Sequence, residues 1–387
     1  MAGEKSDYRR RLGLIELVSL GIGGTIGSGI FVVPGIAAGT LGSWSLLAWV
    51  IVAGSATCVM LSLAWIAPFF GTRGTFLNIF SELFGEKSGI VLVSLYLASA
   101  IFGISTIAAG IGMYLSFFGI SEILIPELIV IALFCGINLM GVSLTGKTEN
   151  LLTALKIAPL LVISLVLLTH IRPENFLPTV PVTTLGLLST ILIVYWPFTG
   201  FEISAIPVDE IREPGMIARS LVLVMLVVSS IYLLLNVSLI GSTGSAALAA
   251  SPAPVATAVG WISSDAAILV GIIGIIAMLS AMNAYILGAS RILHHVSRTY
   301  TLPRLKDLNK RGVPAAALVT ISGVSAALLL VSNRFDTLAV LSVVTTLVPY
   351  IAFSIAAAKL IPGMMHRIVA LAGAMSSAII LALAILL

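Results

Sequence analysis

Two apolar segments of the chain are interrupted at their centres by residues that disfavour helix. The first interruption covers residues 23–29 (GGTIGSG) and the second covers residues 195–202 (YWPFTGFE). Backbone that unwinds inside a membrane leaves amide and carbonyl groups without helical partners. Each such group costs on the order of several kcal/mol in hydrocarbon unless something polar meets it. Paired interruptions at corresponding places in two halves of a chain are typical of the substrate site of a secondary transporter.

The first interruption offers backbone amides. The interval from Thr25 to Gly29 also contains Ile26, Gly27, which has no side chain, and Ser28, which has a small polar one. If the helix restarts near Gly29, the amides of residues 27–29 lie at a helix N-terminus and attract an anion such as a carboxylate. The alternative is a small-residue face that lets two helices touch, although that role does not need so many glycines in one short interval.

The second interruption offers carbonyl oxygens. Pro197 removes a backbone N–H, and Thr199 with Gly200 permits an unwound turn. Carbonyls freed at Trp196, Phe198 or Thr199 would accept hydrogen bonds from an ammonium group. Amides on one segment and carbonyls on the other make a receptor for a zwitterion, and an α-amino acid is the commonest metabolite of that shape.

Two ionisable residues lie inside apolar spans. Lys156 is the one cation within a span, and Glu202 is the one acid that lies well away from span ends. Charges at such depth are costly and usually functional. For Lys156 the alternative is a side chain that snorkels to the cytoplasmic surface; for Glu202 it is an acid held protonated by freed backbone. The functional interpretation is that Lys156 couples transport to protons and that Glu202 is a proton-sensitive gate.

These residues are carried by a polytopic membrane protein. The chain has 387 residues, of which 59% are hydrophobic and 9% charged, against roughly 25% charged in soluble domains. Segments of a length that crosses a bilayer predict an all-α protein with eleven transmembrane helices, near residues 14–36, 43–67, 89–118, 125–141, 150–170, 187–208, 218–241, 266–293, 315–332, 338–360 and 367–386. Residues 245–262 are apolar but short and broken by proline, which predicts an extramembrane or re-entrant hairpin.

Basic residues predict the orientation. With the N-terminus inside, seventeen of the twenty Lys and Arg residues fall on the cytoplasmic side, Arg172 and Arg334 fall outside, and Lys156 lies within a span. This asymmetry follows the positive-inside rule, so the chain is expected in the cell membrane with its C-terminus outside. The net charge of +4 is therefore a topology signal and does not indicate nucleic-acid binding.

The spans divide into two similar halves within one domain, residues 1–387. Residues 14–170 hold five spans and residues 187–360 hold five more, with 367–386 as an extra helix. Because five is odd, the second half enters the membrane from the opposite side, which predicts a 5+5 inverted repeat. Such a repeat places its discontinuous first and sixth helices side by side near the bilayer midplane.

Several segments resemble the amino acid-polyamine-organocation transporters, whose members share the LeuT-type inverted-repeat fold. Residues 24–34 (GTIGSGIFVVP) look like the signature of the first helix, and residues 196–202 (WPFTGFE) are similar to the sixth. Residues 209–214 (DEIREP) resemble the acidic turn after that helix, and residues 290–293 (SRIL) the end of the eighth. Most relatives have twelve spans, whereas eleven are predicted here. Because dimerisation through the terminal helices depends on those spans, no oligomeric state is assigned.

The resemblance implies roles for individual residues. Ser28 and Gly29 would hold the substrate carboxylate, and Thr25, Trp196 and Thr199 would offer carbonyls to the amino group. Trp196 also matches an aromatic residue that closes over substrate in an antiporter of the family, its alternative being a core or interfacial aromatic. In sodium-independent members, a lysine placed like Lys156 occupies the position that a sodium ion has in sodium-coupled relatives, where its ammonium would bridge the unwound first helix to the eighth.

The expected function is sodium-independent, proton-coupled transport of amino acids by alternating access. Glu202 is essentially the only acid available to neutralise a cationic substrate, so a neutral amino acid is favoured. An amino acid or polyamine exchanger is the alternative, and a passive channel or facilitator is an alternative from another class. The expected partners are the amino acid, protons and membrane lipids. The sequence shows no catalytic or nucleotide motif, so we expect no enzyme activity, cofactor or metal; Cys58 and Cys135 lie in apolar spans as small hydrophobes.

Overall fold

The computed structural model describes residues 12–73, 76–141, 146–206, 211, 213 and 215–386. These residues form α-helices joined by short loops, and their only β-type pairing is an isolated bridge between Leu12 and Ile211. The helices are α1 (Leu14–Thr25), α2 (Ser28–Leu41), α3 (Ser45–Arg73), α4 (Phe76–Phe84), α5 (Glu86–Phe117), α6 (Leu124–Leu139), α7 (Gly146–Leu168), α8 (Thr184–Tyr195), α9 (Gly215–Thr243), α10 (Ser245–Ala249), α11 (Pro254–Gly260), α12 (Ser264–Thr299), α13 (Ala315–Val331), α14 (Phe335–Leu360) and α15 (Met364–Leu386).

The predicted all-α polytopic membrane protein is confirmed. Eight helical stretches are long and apolar enough to cross a membrane, and two shorter apolar helices, α6 and α13, accompany them. The first stretch, Leu14–Phe69, holds two passes, so the described residues accommodate the eleven predicted spans. The predicted acidic turn at residues 209–214 lies outside the described residues except for Ile211 and Glu213.

The first predicted interruption is a two-residue break. The α-helix α1 ends at Thr25, and α2 begins at Ser28. Between them, Ile26 is extended (φ −81°, ψ 93°) and Gly27 has φ −143° and ψ −139°. Gly27 therefore sits at the N-terminus of α2, where the first backbone amides of a helix have no partners within it.

The second predicted interruption is longer. After α8, residues Trp196–Phe198 and Phe201–Ala205 form two short 3₁₀ helices, separated by Thr199 and Gly200. Gly200 has φ +98°, a left-handed conformation that costs a residue with a Cβ roughly 1–2 kcal/mol. Pro197 lies at the start of the first 3₁₀ helix, where its missing N–H is tolerated. Both helix breaks are thus placed where the sequence predicted them.

The helices around the breaks form the core of the bundle. Helix α1 packs against α7, α9 and α12, and the 3₁₀ segment Phe201–Ala205 packs against α1 and α9. Helix α5 packs along α12 and α14. Both breaks are therefore enclosed by long helices, and the residues of the breaks are buried.

Residues 245–262, predicted as a hairpin, fold into the short helices α10 and α11. Both pack against α2 and α9. A Cβ built on Gly35 of α2 would lie 2.8 Å from the carbonyl oxygen of Leu248 and 3.1 Å from Cγ of Pro254. This close approach is why α2 carries a glycine there. The hairpin covers the outer part of α2 and so encloses the half of the first helix that follows its break.

Two elements extend beyond the predicted spans. Helix α12 continues to Thr299, past the end of its apolar span at residue 293, as the helical spacing of residues 290–298 predicts; there His294 Nε2 lies 3.1 Å from the carbonyl oxygen of Lys306. The short helix α4 was not predicted. Its Phe76 and Phe80 pack against Phe353 of α14, with ring centroids 5.0 and 4.8 Å apart.

Candidate functional site

The two helix breaks touch each other through glycines. A Cβ built on Gly200 would lie 2.7 Å from the carbonyl oxygen of Gly24, and one on Gly24 would lie 3.0 Å from the carbonyl oxygen of Gly200. A Cβ on Gly29 would lie 2.6 Å from Cα of Pro197. Side chains at these positions would collide with backbone, which cannot move aside. The sequence therefore brings the unwound backbones into direct contact by removing side chains.

A small cavity lies beside this contact. Its volume is about 10 Å³, which is room for about one water molecule. Its lining residues come from both breaks and from two neighbouring helices, and they are Gly24, Thr25, Gly27, Ser28, Gly29, Ile107, Trp196, Thr199, Ala281 and Tyr285. Six of the nine predicted binding residues line it: Thr25, Gly27, Ser28, Gly29, Trp196 and Thr199.

The remaining three predicted residues lie around the cavity without lining it. Ile26 is fully buried, and its carbonyl oxygen faces Lys156. Phe198 packs against Trp49 and Tyr232, with ring centroids 6.0 and 5.2 Å apart. Gly200 contacts Gly24. These three residues therefore surround the site, and only the other six have atoms that face the cavity.

Aromatic side chains close the cavity. The indole Nε1 of Trp196 donates to the Ser28 hydroxyl at 3.3 Å. The Trp196 and Tyr285 rings lie 5.9 Å apart, and the Tyr285 hydroxyl is 3.3 Å from Oγ1 of Thr199. An amino acid is much larger than this space, so Trp196 and Tyr285 must shift before one can enter. In this conformation the space between the two breaks is therefore too small for an amino acid.

Two of the carbonyls predicted to bind an ammonium group, those of Trp196 and Thr25, already accept hydrogen bonds. The Trp196 carbonyl accepts from the Thr199 amide at 3.1 Å and from its hydroxyl at 2.8 Å. The Thr25 carbonyl accepts from the Tyr232 hydroxyl at 2.9 Å. A carbonyl oxygen has two lone pairs, so in this conformation Thr25 retains capacity for one more donor, whereas a donor to Trp196 must displace Thr199.

Lys156 reaches the first break from α7. Its side chain is fully buried, and Nζ donates to the carbonyl oxygens of Gly23 at 3.0 Å and Ile26 at 3.3 Å. Nearby on α7, the Thr153 hydroxyl donates to the Ser19 carbonyl at 3.1 Å. The side chain therefore does not extend to the surface; it holds carbonyls on both sides of the point where α1 ends.

Glu202 accepts three hydrogen bonds beside the second break. The Tyr96 hydroxyl donates to Oε1 at 3.1 Å, the Tyr350 hydroxyl donates to Oε2 at 2.7 Å, and the amide of Gly200 donates to Oε2 at 3.1 Å. A second cavity of about 10 Å³ borders this cluster; Tyr96, Ser99, Glu202, Tyr285 and Ser342 are among its lining residues. Tyr285 lines both cavities.

The sequence did not single out the tyrosines, and it did not show which faces of α12 and α5 point to the site. Ala281 and Tyr285 of α12 face the first cavity, whereas Asn283 Oδ1 accepts from Asn138 at 2.9 Å. The i, i+4 spacing of Ala281 and Tyr285 places them on one face, but a nearly uniformly apolar helix does not reveal which face that is. On α5, Ser105 donates to the Ser325 carbonyl at 2.9 Å, away from the site.

The structure also shows a second buried acid. Glu127, near the start of α6, is fully buried, and a Cβ built on Gly112 of α5 would collide with its carboxyl group. It lines neither cavity at the breaks. The sequence argument that only Glu202 is available as an acid at membrane depth therefore holds for the two cavities and not for the whole bundle.

Comparison with known proteins identifies the family. The model of the family described as amino acid permease matches residues 12–387. The chain belongs to the amino acid permease family. Amino acid transport is the activity that this membership supports, and the resemblance drawn from the two helix breaks is thereby confirmed.

Individual relatives span most of the chain. It is 23% identical over 383 residues to the branched-chain amino acid permease BcaP of Bacillus subtilis, covering 92% of this chain and 81% of that protein. It is 24% identical over 397 residues to the L-methionine/branched-chain amino acid exporter YjeH of Escherichia coli, covering 98% and 92%. It is 26% identical over 326 residues to the aromatic amino acid transport protein AroP of Corynebacterium glutamicum, covering 79% and 70%.

The contact between the breaks can be tested at Gly200 of this permease. Gly200→Ala adds a Cβ both at φ +98° and 2.7 Å from the Gly24 carbonyl oxygen. We expect a loss of stability of about 2–4 kcal/mol from backbone strain together with overpacking, and uptake reduced at least tenfold. Thermal unfolding of purified protein and uptake into proteoliposomes measure the two effects.

Gly119→Ala is the matched control for this prediction. Gly119 also has a positive φ, +84°, but a Cβ there meets nothing within 4 Å. Its substitution should cost only the strain of about 1–2 kcal/mol and leave uptake intact. Equal effects of the two substitutions would show that the contact between the breaks is unimportant.

Proposed function

We propose that this amino acid permease is a sodium-independent, proton-coupled transporter of neutral amino acids. The observation that carries the proposal is the buried Lys156 ammonium, which donates to Gly23 and Ile26 at the first helix break. The Lys156 ammonium at this point compensates the freed carbonyl oxygens, as a bound metal ion would otherwise do. The protein would then need no sodium ion to stabilise the break.

Loss of a proton from Lys156 gives a direct coupling route. A charged ammonium has three N–H donors, whereas a neutral amine has two and no charge. Deprotonation therefore weakens the hold on the Gly23 and Ile26 carbonyls and frees the break to move. Reprotonation from the other side restores it, which links one proton to each cycle.

The first cavity supports a neutral substrate. Among the described residues that line it there is no charged side chain. The amides at the start of α2 suit a carboxylate, and the Thr25 carbonyl suits an ammonium. The names of relatives point the same way, since they specify branched-chain, methionine and aromatic amino acids. We therefore favour an apolar neutral amino acid.

The alternating-access cycle assigns a task to each cluster. Trp196 and Tyr285 close the first cavity, and their displacement admits the substrate. The Glu202 cluster joins three elements, α5 through Tyr96, α14 through Tyr350 and the second break through Gly200. Protonation of Glu202 turns one acceptor oxygen into a hydroxyl that donates, so at least one of these bonds must weaken or reverse its direction. We propose that this loosens the inner closure of the site.

The membrane arrangement is part of the proposal. The asymmetry of Lys and Arg supports a cell-membrane protein with a cytoplasmic N-terminus and an external C-terminus. The paired breaks, placed in corresponding spans of residues 14–170 and 187–360, support the 5+5 inverted repeat. Adjacent contact of the two breaks is the geometry that such a repeat requires.

The direct test is uptake of a panel of labelled amino acids into proteoliposomes. We expect accumulation of leucine, isoleucine, valine or methionine under an imposed proton gradient, with no stimulation by a sodium gradient. Uptake that needs unlabelled substrate inside would identify an exchanger. Flux that does not saturate would identify a passive facilitator, and stimulation by sodium would contradict the role of Lys156.

Lys156→Met and Lys156→Arg test the coupling. Methionine retains length without donors, and arginine retains charge but does not release its proton. Both variants should lose proton-driven accumulation by at least tenfold, with residual exchange allowed where the protein folds. Lys359→Met is the control. It removes a cation of α14 that lies over the Phe84 ring of α4, and the variant should accumulate substrate normally. Undiminished proton-driven uptake by Lys156→Met would refute the mechanism.

Glu202→Gln tests the proposed gate. We expect uptake by the wild type to rise as the pH falls and Glu202 becomes protonated. The glutamine variant should lose most of this pH dependence because its amide does not titrate. Glu127→Gln is the matched control, since Glu127 is another fully buried acid, and it should keep the wild-type profile. The measurement is initial uptake rate against pH at a constant proton gradient; an unchanged profile in Glu202→Gln would exclude the gate.

A further inference from the structure

A third cavity lies at the other end of the bundle from α10 and α11, where α6 ends and α13 begins. Its volume is about 160 Å³, enough for several water molecules. Helix α12 and the loop before α13 supply its two basic side chains, Arg291 and Arg311. The other described residues that line it are Asn138, Gly141, Leu287, Ser290, Gly312, Val313, Pro314 and Leu318, and no acid is among them.

The loop that carries Arg311 is firmly built. Asn309 Oδ1 accepts from the amides of Arg311 at 2.9 Å and Val313 at 3.0 Å. The Asn309 amide nitrogen Nδ2 donates to the Leu139 carbonyl at the end of α6, at 3.4 Å. A Cβ on Gly141 would lie 3.3 Å from Cβ of Arg311. The side chain of Arg311 therefore starts from a fixed point against α6.

The polar side chains of the cavity other than arginine have their donors engaged. Asn138 Nδ2 donates to the Phe134 carbonyl at 2.8 Å and to Asn283 at 2.9 Å. The Ser290 hydroxyl donates to the Leu287 carbonyl at 2.9 Å. No hydrogen bond or ion pair joins the Arg311 guanidinium to another residue that the structure describes. The chemical character of the cavity is therefore cationic and is set by its arginines.

The cavity adjoins an apolar outer surface. Leu133 of α6 and Val319 of α13 are each 54% exposed, and both helices pack at the periphery against each other. Val319 directly follows Leu318, which lines the cavity. In the membrane this surface would face acyl chains, and on both helices it lies within about two turns of residues that line the cavity, Asn138 and Leu318.

We propose that this cavity binds the phosphate group of an anionic phospholipid, with its acyl chains along α6 and α13. Guanidinium groups form bidentate, charge-assisted hydrogen bonds with phosphate oxygens. Basic pockets between transmembrane helices at the cytoplasmic face suit anionic head groups, and the proposed orientation places this loop there. The bound lipid would fasten α6 and the loop before α13 to α12.

The test titrates purified full-length protein with dioleoylphosphatidylglycerol. Thermal midpoints and native mass spectra report binding. We expect saturable stabilisation and a single retained lipid for the wild type, and about a tenfold higher half-saturating lipid concentration for Arg311→Gln. Lys310→Gln removes the neighbouring charge outside the cavity and should stay within about twofold of the wild type. Where Arg291→Gln also folds, it should behave like Arg311→Gln.

Three results would overturn the proposal. Equal responses of Arg311→Gln and Lys310→Gln would show that general surface charge attracts the lipid. Equal stabilisation by dioleoylphosphatidylcholine would show that a net negative head group is not required. Equal stabilisation by inorganic phosphate or glycerol phosphate would assign the cavity to a soluble anion. None of these results depends on transport, so they stand apart from tests of the proposed coupling.

Discussion

Backbone carbonyls freed inside a membrane have no water to bond with, and each costs on the order of several kcal/mol if it stays without a donor. Helix α1 ends at Thr25, deep in the bundle, and two other helices supply donors to its freed carbonyls. Lys156 of α7 donates to Gly23 and Ile26, and Tyr232 of α9 donates to Thr25. The break is therefore stable only while α7 and α9 hold their places, so that the position of the surrounding helices and the conformation of the break determine each other.

The second requirement is close approach. Two unwound segments do not form a regular ladder of hydrogen bonds. They gain stability from van der Waals contact only if their backbones come close together. Gly24, Gly29 and Gly200 remove the side chains that would keep them apart. Transmembrane helices depend on such small residues because lipid offers no hydrophobic drive for association. The same glycines lower the cost of unwinding, since glycine is the poorest helix former after proline. One residue type thus serves both the break and the contact.

The sequence predicted the parts of this arrangement that lie along the chain. Apolar length gave the spans, and the positions of Gly27, Pro197 and Gly200 gave both breaks to within a residue or two, because helix-breaking chemistry is local. The sequence also predicted that Lys156 lies inside a span, because the apolar residues that define the span are its neighbours in the chain. The identity of its partners was predicted only through the family resemblance, which placed it at the unwound first helix.

The sequence did not predict how each helix is rotated about its axis or which side chains close the first cavity. Tyr96, Tyr232, Tyr285 and Tyr350 reach the breaks from four helices whose apolar residues cover nearly the whole circumference, so no polar stripe marks the inner face. Asn283 is a polar residue on the same helix as Tyr285, yet its side chain accepts from Asn138 on α6. The small volume of the first cavity depends on the rotamers of Trp196 and Tyr285, which the order of residues does not determine.

Tyr285 forms a wall of both cavities, with its hydroxyl beside Thr199 on one side and its ring bordering the space next to Glu202 on the other. In the proposed mechanism this shared wall couples the two cavities. If substrate displaces Tyr285 and that movement changes the surroundings of Glu202, substrate binding changes the proton affinity of Glu202. Linkage is reciprocal, so protonation would then change substrate affinity by the same factor. A single phenol ring would thereby let one protein convert a pH difference into a difference in substrate affinity between the two faces of a membrane.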